Sequence, residues 1–275
     1  MNLIEGILLG VVQGLTEFLP ISSSGHLVLF QNILGFREPE LLLNAALHLG
    51  TLLAVCIYFR SDLKLMIIET WNVLSGPIKK GECLDKMIES PHASIALWVL
   101  IGTVPTSIIG LVFHSPLENL FGSVTVVGIM LVVTGILLAI SRLIPEHYNA
   151  SSKVGLVSAL AVGVVQGLAI IPGISRSGAT IVCGMLFGLK RDLAARFSFI
   201  LSIPAITGAL ILQLTSSGFE SINIPALIIG TICSAVVGLA ALKILMSVVT
   251  NGRLYYFAPY CWVVGLIIVI LKTVD

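Results

Sequence analysis

The chain has little charge. Only 11% of its 275 residues are Asp, Glu, Lys or Arg, where a soluble domain carries about 25%. Hydrophobic residues make up 57% and mean hydropathy is +1.07. Those values exclude a soluble globule and point to a polytopic membrane protein. Paired cysteines are missing too. Cys56, Cys83, Cys183, Cys233 and Cys261 are odd in number and scattered, with no CxxC and no Cys/His spacing. A disulfide framework is therefore not expected, and the cysteines read as small apolar fillers. No basic stretch precedes the first apolar run, which Glu5 and Glu17 interrupt, so a cleaved leader is not expected. Nucleic acid is not expected as a partner.

Long apolar runs are present. Six stretches, at about 41–59, 94–113, 123–143, 195–214, 225–246 and 255–272, read as full spans. Two more, 3–34 and 155–188, are apolar but interrupted by Pro, Ser and Gly. A helix does not continue through such a cluster without losing hydrogen bonds. Irregular backbone at membrane depth survives only where protein or water covers it. Each of the two therefore reads as a re-entrant helical hairpin with a polar tip.

The tips are copies of one another. Residues 10–25 read GVVQGLTEFLPISSSG and residues 163–178 read GVVQGLAIIPGISRSG, an ungapped offset of 153 with ten of sixteen positions identical. The likeness extends to Ile101-Gly102-Thr103 with Ile229-Gly230-Thr231, and to Thr134-Gly135 with Val264-Gly265. The chain thus divides into repeats at 1–150 and 151–275, each a hairpin followed by three spans. Three is odd, so the second repeat enters the bilayer inverted. Charge gives the same answer. Arg60, Lys64, Lys79, Lys80, Lys86, Arg142, Lys153, Lys190, Arg191, Arg196, Lys243 and Arg253 fall on one side, and Arg37 and Lys272 on the other. The rich side is expected to be cytoplasmic. The fold class expected is an all-α polytopic membrane protein with an inverted-topology repeat. Its hairpins enter from opposite leaflets and their tips meet near the midplane. Segment 61–92, apolar and basic by turns, reads as a helix lying on the membrane surface.

The copies differ where chemistry needs them to: Glu17, Ser23 and His26 in the first stand where the second has Ile170, Arg176 and Ala179. Glu17 follows Gln13 by four residues and shares its helix face. A carboxylate at this depth is costly and short for snorkelling, so a functional role is favoured over an interfacial one. Arg176 is the one basic residue in a hairpin tip. The plain alternative is a structural partner for Glu17, and its planar fork also suits phosphate. Ser22, Ser23, Ser24 and Gly25, and likewise Ser175, Ser177 and Gly178, open helices. Capping alone is the bland reading, but two opposed helix N-termini also make an anion site. His26 sits one turn past its tip, where a base or nucleophile belongs. Of the other histidines, His92, His114 and His147 read as loop or interface residues and His48 is left open. A phosphate-containing substrate suits this set.

Gln13-Gly-Leu-Thr-Glu17, Phe18-Leu-Pro-Ile-Ser-Ser-Ser-Gly-His26 and Pro172-Gly173-Ile-Ser175-Arg176-Ser177-Gly-Ala-Thr180 together resemble the undecaprenyl-diphosphatase (bacitracin-resistance) family of bacterial membranes, over essentially the whole chain. The resemblance implies hydrolysis of undecaprenyl diphosphate to the monophosphate and inorganic phosphate, which recycles the lipid carrier for the cell wall and confers bacitracin resistance. It implies a C55 diphosphate lipid as substrate, with membrane lipids around it and room for a homo-oligomer. It implies a location in the cytoplasmic (inner) membrane with the site opening to the outer face. It makes Glu17, His26, Ser23 and Arg176 the catalytic group. It makes Gln13, Ser22, Ser24, Gly25, Gly173, Ser175, Ser177 and Thr180 the diphosphate contacts. A divalent cation, Mg²⁺ or Ca²⁺, would sit on Glu17 with Gln13 nearby. Ser23, His26 and water all stay open as nucleophile. A lipid transporter or flippase built on the same inverted repeat is the alternative. The Ser24-Gly25-His26 triplet alone is weak support for the phosphohistidine class of lipid phosphatases.

Overall fold

The computed structural model describes residues 2–36, 41–76, 82–112, 123–145, 151–216 and 223–274. The expectations for Arg37, Lys79, Lys80, His114 and His147 lie outside them. In lipid a backbone must bond to itself, and a helix does so within one segment. The described residues form twelve α-helices. The first half holds α1 (Leu3–Phe18), α2 (Ser23–Ile33), α3 (Leu41–Tyr58), α4 (Arg60–Ser75), α5 (Glu82–Glu89), α6 (Pro91–Val112) and α7 (Val124–Ile140). The second holds α8 (Leu156–Leu168), α9 (Arg176–Leu186), α10 (Arg191–Ser216), α11 (Ile224–Thr250) and α12 (Ala258–Val274).

Helices α6, α7, α10, α11 and α12 supply five segments long and apolar enough to cross a bilayer. Helices α3 and α4, bent by 71° at their junction, qualify together as a sixth. The protein is an all-α polytopic membrane protein. On α4, Ile67, Trp71 and Leu74 are exposed and only Met66 is buried. That suits a helix lying across the end of the bundle. Both hairpins break where the polar clusters fall: the first tip is residues 19–22, between α1 and α2, and the second is 169–175, between α8 and α9.

Close backbone approaches reveal the relation between the halves. Helices α1 and α11 run parallel. A Cβ on Gly10 would collide with the Gly230 carbonyl, and one on Gly14 would lie 2.8 Å from the Gly238 nitrogen. The other half repeats this with α8 and α6, where Gly163 stands against Gly102 and Gly167 against Ile109. Gly10 and Gly163 are equivalent in the repeat, as are Gly230 and Gly102. Helices α7 and α12 are equivalents that pack on each other. Cβ atoms placed on Gly128 and Gly135 would lie 3.0 Å from the carbonyls of Gly265 and Ala258 respectively, so the pair is antiparallel. Only an axis perpendicular to both helices exchanges them. Since both are spans, that axis lies in the membrane plane, which is the geometry of an inverted repeat.

The basic residues gather as the charge pattern requires. Asp62 of α4 pairs with Arg196 of α10, the Arg191 guanidinium lies over Gly252, Arg142 stacks over Tyr255 at 5.4 Å, and residues 151 and 189 form a bridge. All of these contacts fall at one end of the bundle. Deeper, the buried rings of Phe18, Phe59 and Phe199 interlock, with Phe18 edge-on to Phe199 at 5.8 Å. Burying such a ring contributes roughly 1.5–3 kcal/mol. Phe18 follows Glu17 directly, so this cluster fixes the end of α1.

Candidate active site

The two tips touch across the exchange axis. A Cβ on Gly25 would lie 3.5 Å from the Cα of Gly173, and one on Gly178 would lie 3.0 Å from the Cβ of Pro20. These contacts are equivalents, since 25 maps to 178 and 20 to 173. Ser22 and Ser175 cap their helices alike: their hydroxyl oxygens accept from the Gly25 N–H at 3.3 Å and the Gly178 N–H at 3.2 Å. The N-termini of α2 and α9, with their positive dipole ends, thus converge on one place.

Glu17 lies at that convergence, 7% exposed. Four side chains surround its carboxylate. Gln13 Nε2 donates to Oε2 at 3.0 Å and the Ser23 hydroxyl donates to the same oxygen at 2.5 Å. Arg176 Nη2 donates to Oε1. His48 Nε2 stands 3.7 Å from Oε2. The donors come from α1, α2, α9 and α3, hence from both halves. A charge pair this deep persists only when its partners satisfy it.

Two atoms are not satisfied. Gln13 is 0% exposed, and its Oε1 has no partner; neither has Arg176 Nη1. Among the described residues only Thr70 Oγ1 shares that condition. An unpaired buried polar group costs roughly 1–3 kcal/mol, so an orphan acceptor and an orphan donor flanking one carboxylate suggest a site built for something else to complete. The acceptor is a hard oxygen beside a carboxylate. Among the described residues no group of three or more His, Cys, Asp or Glu gathers, so no cage of that kind is formed by them. A magnesium-type ion needs only one or two protein oxygens and takes the rest from water and phosphate. Gln13 and Glu17 fit such an ion.

His26 is buried one turn into α2. Its Nδ1 lies 2.8 Å from the Ser22 carbonyl and its Nε2 lies 2.7 Å from the Tyr260 hydroxyl. Ser24 is partly exposed beside Ser22, with 3.3 Å between hydroxyls. Three of the expected diphosphate contacts are turned inward. The Ser175 N–H donates to the Thr134 hydroxyl, which donates to the Gly173 carbonyl. Ser177 Oγ donates to the Phe18 carbonyl at 2.9 Å. Thr180 Oγ1 donates to the Arg176 carbonyl at 2.7 Å and lies 2.5 Å from Ser198 Oγ. Ser177 and Thr180 therefore tie the second tip to α1 and α10 beside Arg176. His48, Tyr260 and Thr134 are the residues that sequence reasoning missed. His48 had no acid near it in sequence, and all three reach the tips from distant spans.

The second copy has no counterpart of the Gln13–Glu17 pair. Gln166 corresponds to Gln13, but its amide donates to Thr106 and to the Leu201 carbonyl, and Ile170 stands where an acid would be.

The family model described as Bacitracin resistance protein BacA matches residues 6–267. A protein of Desulfatibacillum aliphaticivorans named undecaprenyl-diphosphatase is 46% identical, with all of both chains covered. Proteins of the same name from Desulforapulum autotrophicum and Korarchaeum cryptofilum are 44% and 43% identical; the first match covers 98% of each chain, the second 98% of this chain and 100% of its relative. The match to the family model spans nearly the whole sequence and includes both tips: the chain belongs to the bacitracin resistance protein BacA family.

Proposed function

We propose that the chain is an integral membrane phosphatase that hydrolyses undecaprenyl diphosphate to undecaprenyl phosphate and inorganic phosphate. The single observation that carries this is the pair of unsatisfied atoms, Gln13 Oε1 and Arg176 Nη1, on either side of Glu17. One wants a cation and the other an anion, and a metal-bound diphosphate brings both. The relatives' names speak for hydrolysis, not for transport.

Arg176 keeps Nη2 on Glu17 and gives Nη1 to the terminal phosphoryl group, where it stabilises charge spreading over the equatorial oxygens. The N-termini of α2 and α9 aim their dipoles at the same charge. Gln13 and Glu17 would hold Mg²⁺ or Ca²⁺, which supplies charge neutralisation to the diphosphate. Attack on the terminal phosphorus breaks its bond to the bridging oxygen. That oxygen departs with the lipid monophosphate, and water supplies the new oxygen of inorganic phosphate. Two side chains are placed to start this. The Ser23 hydroxyl points its proton at the Glu17 carboxylate, and His26 offers Nε2. A trapped phosphoenzyme chooses between them: an acid-labile label marks His26, an acid-stable label Ser23, and no label direct attack by water.

With repeats divided at 150/151, the first hairpin would enter from the side away from the basic end. By the positive-inside rule that is the outer face of the cytoplasmic membrane. The substrate head would enter there, with its C55 tail between spans and lipid. Abundant enzyme would remove the target of bacitracin. Phosphate release from a polyprenyl diphosphate by purified protein in detergent, with and without chelator, tests the reading. Release that stops with chelator supports it. No release in the presence of Mg²⁺ or Ca²⁺ overturns it.

A further inference from the structure

We propose that Tyr260 is the positioning residue of His26: it stacks on the imidazole and reserves the lone pair of Nε2 for the reaction. A carbonyl can only accept, so the Ser22 carbonyl 2.8 Å from Nδ1 assigns the ring proton to Nδ1. Ser22 directs that carbonyl from a left-handed backbone, φ +68°, the one non-glycine positive φ among the described residues. Such a conformation is strained and persists only where its surroundings impose it. With Nδ1 carrying the proton, a neutral ring has its lone pair on Nε2. The Tyr260 hydroxyl, 2.7 Å away, donates to it. The rings lie 13° from parallel with centroids 5.8 Å apart.

The placement is built in. His26 is 5% exposed and Tyr260 44% exposed, so the hydrogen bond joins a buried imidazole to an exposed residue. Cys261, the next residue, packs its Sγ 3.6 Å from the Pro20 carbonyl in the first tip. Gly135 sits against the Ala258 carbonyl. The first contact holds the first turn of α12 against the tip that leads into the helix of His26, and the second holds it against α7. The repeat adds an independent sign. Since Gly135 corresponds to Gly265, Tyr260 corresponds to Met130, and His26 to Ala179. Imidazole and phenol occur together in one place, and the exchanged place has neither. Thr134 serves the second tip by hydrogen bonds and Met130 by packing, with the Cβ of Met130 2.7 Å from where a Cβ on Gly173 would fall.

Attack by His26 and base action by His26 both require the Nε2 lone pair. Tyr260 thus keeps the ring in the useful tautomer and orientation until a phosphoryl group or water replaces its hydroxyl. The proposal rests on His26 acting at phosphorus.

The test uses the full chain in detergent with a polyprenyl diphosphate. Tyr260→Phe keeps the stacked ring and removes the donor. Its kcat is expected to fall about tenfold with KM unchanged, the usual scale for losing a partner that orients a reacting histidine. Nitrogen NMR of labelled histidine, assigned by the signal lost in His26→Gln, should show Nδ1 protonated in the parent. In Tyr260→Phe the Nε2 signal should move to that of a free imine nitrogen. Unchanged kcat in Tyr260→Phe, or an Nε2-protonated His26 in the parent, overturns the proposal. Full turnover in His26→Ala would sink the reading of His26 itself, while the Nε2 shift decides the pairing separately.

Discussion

Ser23 and Arg176 occupy the same position in two copies of one motif, and both donate to the carboxylate of Glu17, Ser23 to Oε2 and Arg176 to Oε1. The duplicated position is therefore used twice, once for a hydroxyl and once for a guanidinium, at a single acid that only one copy retains.

The ion pair couples activity to stability. Removing one partner leaves the other charge buried, at a cost of about 3–5 kcal/mol. Glu17→Ala and Arg176→Ala are each expected to lower phosphate release by orders of magnitude and to lower Tm. Glu17→Gln combined with Arg176→Met should regain much of the Tm and none of the turnover. Thermal unfolding in detergent beside a phosphate-release assay checks both. Near-normal turnover in either single variant would refute the site.

The cation requirement should follow the residue at position 13. Gln13→Leu removes the orphan oxygen, and Gln13→Glu adds a second carboxylate. The Mg²⁺ concentration for half-maximal rate is expected to rise about tenfold in the first and to fall in the second, as ligand charge tunes affinity for hard ions. A titration after chelator treatment measures this.

Close packing of α1 on α11 predicts a contrast between glycines. Gly10→Ala drives a methyl group into the Gly230 carbonyl and should cost about 1–3 kcal/mol by overpacking. Gly208→Ala lies within α10 with nothing inside 4 Å of the added atom. It should leave stability unchanged or raise it by up to about 1 kcal/mol through helix propensity. Equal destabilisation of the two would contradict the packing described.

Glu69, on the surface helix α4, ties that helix to the start of α6. Its carboxylate accepts from the Ser90 hydroxyl, the His92 ring and the N–H groups of His92 and Ala93. Burial alone would raise its pKa, but those bonds outweigh burial and hold it at about 2, below the ordinary 4.5. A depressed carboxyl stabilises the fold fully above its unfolded value and loses that contribution as pH falls through the folded one. The Tm difference between the parent and Glu69→Gln should be full near neutral pH, shrink below about pH 4.5 and vanish near pH 2. A difference that does not depend on pH would show that the carboxylate is not the anchor.

How much of this was legible in the sequence follows from what repeats and what does not. The hairpins, the spans and the pairing of Glu17 with Arg176 were readable, because the copied motif fixes which residues lie at equivalent tips and inversion brings those tips together. Within segment 61–92 the described residues form α4, α5 and the start of α6, and α4 leaves α3 at a bend of 71°. His48, Thr134 and Tyr260 were not readable as site residues. Each reaches the site from another helix by its side chain alone, and no local pattern records such a contact. Ser177 and Thr180 look like phosphate ligands in the motif, yet their protons are committed to backbone carbonyls. Only the path of the neighbouring helices reveals that.

The shared position of Ser23 and Arg176 also bears on ancestry. A homodimer of half-length chains would place the same residue on both sides, either two serines or two arginines, and could not present the mixed pair to one acid. The present site requires two copies that differ at this position. Neither half expressed alone should be a working enzyme, whereas the two different halves produced together have every group the site requires.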